Sequence, residues 1–485
     1  MHATSSKTRS LLRAPSGALI LLVAFSLSGA AFAAPTAAAA RQGAYQSAYA
    51  LGLQAYIYGL PLLETHKTFV TQTSVTVSNG DGYGPVNTFN NVRNLTNPDS
   101  KTVVAPGSNG LSSIAWLDLT HGPEVLHVPR VRGHSFVLAL LDPYTTNLRN
   151  LGTANSTRPG YYAILGPGQH GMPLPPGTGR IDVDYSRIWI IGSTQLKGRR
   201  DLANVHRIQD GYTLTSLAAF VGCVQPPGPP ARRKTKVRSY SLPQGLRFFD
   251  VLGRQLALFP PPARDRGLLS RLAQVGIGPG KHPSHEERLG RETRRGLAAA
   301  VADGPATLAA DAARLFRESG ERHNGYFVGG FGRYGTNYKL RAVISQIGLG
   351  AFTSEQTIYA LSLTDAAFAP LAGSTPYVLR MPSLPPVNGG WSLTVYSLQG
   401  FLVHNPIGRY ELSSGSRLAR GAHGSVEIYL QSTRPASAAA ERNWLPTPAN
   451  EGFEVIWRLL APKPAQIGGI IDGRGWQPPK IVPAG

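Results

Sequence analysis

A chain of 485 residues with a single cysteine, Cys223, forms no internal disulfide, so its fold depends on buried apolar surface, and this length suits two or three domains. Lys and Arg number 48 against 27 Asp and Glu, a formal net charge of +21, which favours anionic partners without naming one. The one dense basic cluster (Arg232, Arg233, Lys234, Lys236, Arg238) follows a Pro-Gly run and has no interleaved aromatic, which argues against a specific nucleic-acid footprint.

The first residues read as an export signal. Lys7, Arg9 and Arg13 precede a short apolar run from Ala18 to Phe25, and Ala31-Phe32-Ala33 supplies small residues at a cleavage position. The run falls short of the about 20 residues a membrane span needs. The expectation is a signal peptide over residues 1–33 and an exported, periplasmic mature chain with no transmembrane span. Loss of the three signal cations lowers the formal charge from +21 to +18.

From Ala34 to about Arg41 the small residues read as a linker. Tyr45, Ala48, Leu51, Ala55 and Tyr58 then share a helical face over Ala44 to Tyr58, broken at Gly59-Leu60-Pro61. Short β runs follow, among them Ile114–Leu117, Val125–Val128, Phe136–Leu141, Tyr161–Leu165 and Arg187–Ile191, with Gly or Pro between nearly every pair. Helical periodicity returns over Phe248–Leu258, stopped by Pro260-Pro261-Pro262. Further helices are predicted over Arg266–Val275 and His285–Ala302, and a fourth is opened by Pro305 and runs through Phe316. Tyr377–Met381, the Trp391 strand, Ser425–Leu430 and Phe453–Leu460 resume the β texture, too closely spaced for crossover helices. The fold class is therefore α+β and mostly β: two antiparallel β-sandwich, jelly-roll-like domains joined by a helical segment. The boundaries are 34–200, 201–322 and 323–485.

Ordered motifs carry a resemblance. Trp116-Leu117-Asp118-Leu119, Gly122-Pro123, Val128-Pro129, Leu141-Asp142-Pro143-Tyr144-Thr145-Thr146-Asn147 and Gly166-Pro167 occur in the N-terminal β region, and Gly276-Ile277-Gly278-Pro279-Gly280 in the helical one. Tyr338 with Arg341-Ala342, Gly348-Leu349-Gly350-Ala351, Pro385-Pro386-Val387, Trp391-Ser392-Leu393-Thr394, Arg409-Tyr410 and Asn443-Trp444-Leu445-Pro446 occur further on. Together they resemble an exported family that pairs two domains of unknown function, numbered 1254 (N-terminal) and 1214 (C-terminal). The resemblance implies fold and location and no reaction. The chain departs from the family pattern at Pro106–Ser113, where relatives carry Pro-Asn-x-Asp-Thr-x-Tyr-Ser. Gly390 stands where they carry phenylalanine.

Candidate chemistry is sparse. His121, His127 and His134 match no familiar zinc spacing, and His282, His285, Glu286 and Glu287 read as polar residues opening a helix. Pro106-Gly107-Ser108-Asn109-Gly110 precedes a strand and so fails as a nucleophile elbow. Asp118 with Asp142, and Asp182 with Asp184, are candidate carboxylate pairs, though Asp142-Pro143 is a turn opener. Cys223 reads as a buried or incidental structural thiol. No metal site and no cofactor is indicated.

The best binding constellation is aromatic and basic: Tyr338, Arg341, Trp391, Tyr396, Arg409, Asn443, Trp444 and Arg458. Indole faces stack on apolar or sugar surfaces, and Arg forks grip carboxylate or phosphate. The tryptophans serve equally as core wedges, and the arginines as braces for loop carbonyls. The expected function is an envelope protein binding an anionic or amphipathic small molecule in the C-terminal sandwich. An Asp/His hydrolase, metal-assisted or not, and a structural assembly subunit are the alternatives, and a homo-oligomer is compatible with the chain.

Overall fold

The computed structural model describes residues 36–100, 104–107, 109–223 and 236–484. The signal-like segment, Ser108 and most of the basic cluster (Arg232, Arg233, Lys234) lie outside the described residues.

Among the described residues the N-terminal unit has nine strands: β1 (Asn90–Asn91), β2 (Gly110–Asp118), β3 (Glu124–Val128), β4 (Phe136–Leu141), β5 (Asn147–Gly152), β6 (Gly160–Leu165), β7 (Gly179–Asp182), β8 (Arg187–Gln195) and β9 (Thr213–Ser216). They form a five-stranded sheet, β1-β2-β8-β4-β5, and a four-stranded one, β7-β6-β3-β9, antiparallel except for β6 and β7. Alternation sends Ala115 and Leu117 of β2 to the core shared with the second sheet. Ile114 and Trp116 point to the other face, where Trp116 stacks on Trp189 with ring centroids 4.7 Å apart.

The C-terminal unit repeats the plan with β10 (Phe327–Gly329), β11 (Thr357–Ser362), β12 (Tyr377–Met381), β13 (Val387–Ser397), β14 (Glu411–Ser413), β15 (Val426–Gln431), β16 (Trp444–Pro446), β17 (Phe453–Pro462) and β18 (Ile481–Pro483). Its sheets run β10-β11-β17-β13-β14 and β16-β15-β12-β18, antiparallel except for β15 and β16. Trp391, Leu393, Val395, Val455, Trp457 and Leu459 of one sheet meet Leu379, Ile428 and Leu430 of the other in a single apolar core. Neither pair of sheets closes into a barrel. The two-domain α+β architecture is thus the one the strand spacing implies.

Helices differ more from the sequence pattern. They are α1 (Ala37–Gln72), α2 (Leu202–Asp210), α3 (Leu217–Phe220), α4 (Leu246–Leu258), α5 (Arg266–Ala273), α6 (Arg291–Arg322), α7 (Tyr338–Ile347), α8 (Ala438–Arg442) and α9 (Pro464–Ile471). From Ala37 on, the stretch read as a linker is the first turn of α1, capped by the Thr36 side chain, which accepts from the Ala39 amide at 3.2 Å. Two expected breaks are also absent: Pro61 lies inside α1, and Pro305 lies inside α6 instead of opening a new helix. An interior proline costs about 3 kcal/mol. Here packing offsets it, because α1 and α6 lie against each other through Gly52 and Gly296; a Cβ on Gly296 would come within 2.5 Å of the Tyr45 carbonyl. Leu297, Ala300, Val301 and Leu308, on both sides of Pro305, are all buried, so one continuous face holds both halves.

Candidate functional site

The eight residues expected to form one constellation are distributed over three neighbourhoods. In the first, Trp391 is a core wedge beside Trp457, ring centroids 5.3 Å apart. Arg409, Asn443 and Trp444 are loop braces nearby. Arg409 Nη1 donates to the carbonyls of Glu441 and Trp444 at 2.7 and 2.8 Å. Asn443 donates to the carbonyls of Ala419 and Glu427 and accepts from the Ala419 amide, and Trp444 Nε1 donates to the Gln431 carbonyl. Arg409 Nη1, the Asn443 amide and Trp444 Nε1 are thus committed to the backbone.

The second neighbourhood joins the two units. Alternation along β13 and β17 turns Thr394, Tyr396 and Arg458 to the outer face of the C-terminal sheet, away from Trp457. There Arg458 Nη2 donates to the Ala105 carbonyl at 2.6 Å, Tyr396 Oη donates to the Pro106 carbonyl at 2.6 Å, and the Ala105 amide donates to the Gly400 carbonyl at 2.8 Å. Ala105 adopts φ +50°, left-handed backbone held by this clasp. The Ala105-Pro106 stretch is therefore held on the C-terminal sheet. Arg458→Met should remove a charge-assisted bond of about 1.5–3 kcal/mol. Limited proteolysis next to Ala105 should accelerate in that variant, while unchanged cleavage would show that the clasp holds nothing.

The third neighbourhood lies under α1. The Pro260–Pro262 stop after α4 forces a tight turn, and the Asp265 carboxylate enters the interior fully buried. It accepts from Tyr58 Oη of α1 at 2.9 Å and Tyr338 Oη of α7 at 2.6 Å. Arg341, one turn beyond Tyr338, is 1 % exposed, with its guanidinium 5.2–5.5 Å from the ring centroids of Tyr58, Tyr338 and Tyr144. It thus belongs to the N-terminal core and not to the C-terminal sandwich. Asp142 is buried too, and desolvation pushes its carboxyl up to about 6 against the opposing pull of the Thr146 amide and Arg341. The cluster ties three helical elements to the N-terminal sheets.

The remaining candidates resolve into turns and single contacts. Asp142 Oδ1 accepts from the amides of Tyr144 and Thr146, the Asp-Pro turn its sequence implied. Asp118 accepts from Thr120, and Asp182 and Asp184 are exposed. His127 Nδ1 is 2.7 Å from the Gly211 carbonyl, and His134 Nε2 is 2.7 Å from Asp201. His282 to Glu287 lie in a turn before α6 and do not open a helix, because α6 starts only after Gly290. Among the described residues no group of three His, Cys, Asp or Glu side chains is placed to hold a metal ion. Cys223 is exposed, not buried: Leu217 is the one buried residue of α3, and Val221 just after the helix is already exposed.

The open concavity lies elsewhere, at the end of α6. Ala313, Phe316, Arg317 and Glu321 of α6, with Gly325, Leu363, Thr364 and Phe368, line a groove of about 500 Å³. Its walls are fixed by sequence-local devices. Phe316 stacks on Phe327 with centroids 4.5 Å apart. Asp365 accepts from the amides of Ala367 and Ala369, holding a turn in which Phe368 takes φ +62° and remains 47 % exposed. The Phe368 ring lies over Gly320, where a Cβ would come within 3.1 Å. Beneath it, buried His323 bridges the Ser319 and Ile471 carbonyls, fixing the end of α6 to the C-terminal helix α9. A bulky residue in left-handed backbone costs about 1–3 kcal/mol and persists only where its surroundings impose it. No periodic signal in Ala366-Ala367-Phe368-Ala369-Pro370 marks this ring; only the Asp365 turn residue hints at it.

A two-sandwich chain with a helical layer and an interdomain clasp defines the class, and the comparisons define the family. Residues 86–216 match the protein of unknown function DUF1254, and residues 356–464 match the protein of unknown function DUF1214. The chain belongs to the family that pairs these two domains. The crystal structure of the VPA0106 protein from Vibrio parahaemolyticus is similar in fold, with a TM-score of 0.62 at 20% identity over 90% of this chain and 100% of that one. An uncharacterized protein from Burkholderia cenocepacia aligns over 92% of this chain and 95% of its own at 11% identity, with a TM-score of 0.42. No curated protein matches the chain.

Proposed function

We propose that this is an exported binding protein for a small amphipathic anion, and that the anion lies in the groove at the end of α6. The observation that carries the reading is the pairing of an exposed, conformationally strained Phe368 with Phe316 and Leu363 across a 500 Å³ groove rimmed by Arg317. A volume of this order suits a small ligand (about 300–1,000 Å³ is usual) with apolar walls and few polar groups. Arg317 forms no ion pair among the described residues, so its guanidinium is available to a carboxylate or sulfonate at the rim. The site proposed here, where α6 meets the loop after β11, differs from the constellation expected in the C-terminal sandwich. Export is supported by the n-region, apolar run and Ala31-Phe32-Ala33 of the sequence.

Octanoate, octanol and octylamine share one tail and differ in head group. Isothermal titration of the mature chain should rank octanoate first. Phe368→Ala should weaken it about tenfold through lost apolar burial, and Arg317→Gln by up to about fivefold, the scale of an exposed ion pair. Equal affinity for all three heads, or octanoate binding indifferent to both substitutions, would refute the site.

A further inference from the structure

Opposite charges about one turn apart on a helix are neighbours and commonly pair. On α6 they do so at Arg295, which reaches Glu292 at 2.7 Å, and at Arg314, which reaches Asp311 at 3.5 Å and Glu318 at 3.9 Å. Arg317 and Glu321 depart from this behaviour. They stand four residues apart, in the same Arg-before-Glu order as Arg314 and Glu318. Yet neither forms an ion pair among the described residues. Both are exposed, and both line the 500 Å³ groove whose apolar walls are Phe316, Leu363 and Phe368. The groove therefore carries one open cation and one open anion beside its apolar floor.

Side chains at this spacing start about 5–6 Å apart at their Cβ atoms. A head group held by Arg317 thus lies well inside the about 8–10 Å over which the Glu321 charge is felt in ordinary salt. A plain anion is drawn by Arg317 and repelled by Glu321. A plain amine is drawn by Glu321 and repelled by Arg317. A head group that carries both charges on neighbouring atoms meets both partners and is repelled by neither. An α-amino acid has that arrangement, because one carbon bears its carboxylate, its ammonium and its side chain.

We infer that the groove at the end of α6 selects an apolar α-amino acid, with Arg317 taking the carboxylate, Glu321 the ammonium, and Phe316 and Phe368 the hydrocarbon side chain. This rests on the reading of the groove as a binding site and adds the second charge of the head group. Glu321 is then a specificity residue: it contributes little to holding an apolar anion and decides in favour of the zwitterion.

Isothermal titration of the mature chain at pH 7 tests this with octanoate, 2-hydroxyoctanoate and each enantiomer of 2-aminooctanoate, which share one carbon chain and differ only at carbon 2. The better-bound enantiomer of 2-aminooctanoate should bind about fivefold tighter than octanoate, the scale of one exposed ion pair. The hydroxy acid, equal in size but uncharged at carbon 2, should stay near octanoate. Glu321→Gln should erase the gain of the amino acid and leave octanoate bound as well as before or better, whereas Arg317→Gln should weaken both. Glu321 is exposed, so an unchanged Tm should accompany its substitution. Octanoate binding with no gain for either enantiomer, a gain matched by 2-hydroxyoctanoate, or a gain that survives Glu321→Gln would overturn the amino-acid assignment and leave the groove itself in place. Binding of neither octanoate nor 2-aminooctanoate would refute the groove as a site and the assignment with it.

Discussion

Asp265→Ala should destabilise the chain by about 3–5 kcal/mol, the cost of removing one partner from a buried charged network. The carboxylate has no exposure and accepts from the phenols of Tyr58 and Tyr338, which arrive from α1 and α7. Without it, the buried Tyr58 hydroxyl and the half-buried Tyr338 hydroxyl lose their acceptor, and the ion pair from Arg264 is lost. Asp265→Asn keeps a carbonyl oxygen for one phenol and should cost less than Asp265→Ala. Urea unfolding followed by tryptophan fluorescence measures both. A loss below about 1 kcal/mol for the alanine variant, the worth of one ordinary hydrogen bond, would mean that the cluster is not a structural tie.

The second large effect is on pH dependence. Burial pushes Glu454 up to about 7, against the pull of Arg458, and burial pushes Glu124 up to about 7. Both exceed the ordinary carboxyl value of 4.5, so the folded state holds these protons more tightly than the unfolded chain does. Their contribution to stability is full below pH 4.5 and is lost as pH rises through 7. His66 acts in the other direction. Burial, then Arg187 and Arg254, draw it from 6.5 down to about 4, so its contribution is present above pH 6.5 and is lost as pH falls through 4. These windows overlap, and two carboxyls outweigh one imidazole, so the stability these groups contribute should fall between about pH 5 and 7. Glu454→Gln should raise stability at pH 8 by up to about 3 kcal/mol, from the linkage of 1.36 kcal/mol per pKa unit, and should flatten that decline. Tm measured from pH 4 to 9 for both proteins checks this. A wild-type Tm that climbs steadily from pH 5 to 8 would contradict it.

How much of this was legible in the sequence depends on the range of the interactions. Strands declared themselves because one buried face gives a period of two, as at Trp391-Leu393-Val395, and the ordered motifs gave the family. Helix continuity did not, because Pro61 and Pro305 are local stop signals overridden by packing between α1 and α6 that no local window contains. The binding constellation was chosen by residue type along the C-terminal half. Yet strand alternation sends Trp391 inward and Tyr396 outward, and Arg341 packs on Tyr58, 283 residues away. Asp265 owes its role to such long-range neighbours, Tyr58 and Tyr338, and nothing around it in sequence announces it.

The reading of this chain as a small-molecule binder is tested most directly by a crystal structure of the mature protein grown with octanoate. The account predicts the tail between Phe316 and Phe368 and the carboxylate at Arg317. A ligand bound instead among Trp391, Trp444 and Arg409, or a groove filled by Phe368 with octanoate excluded, would contradict it.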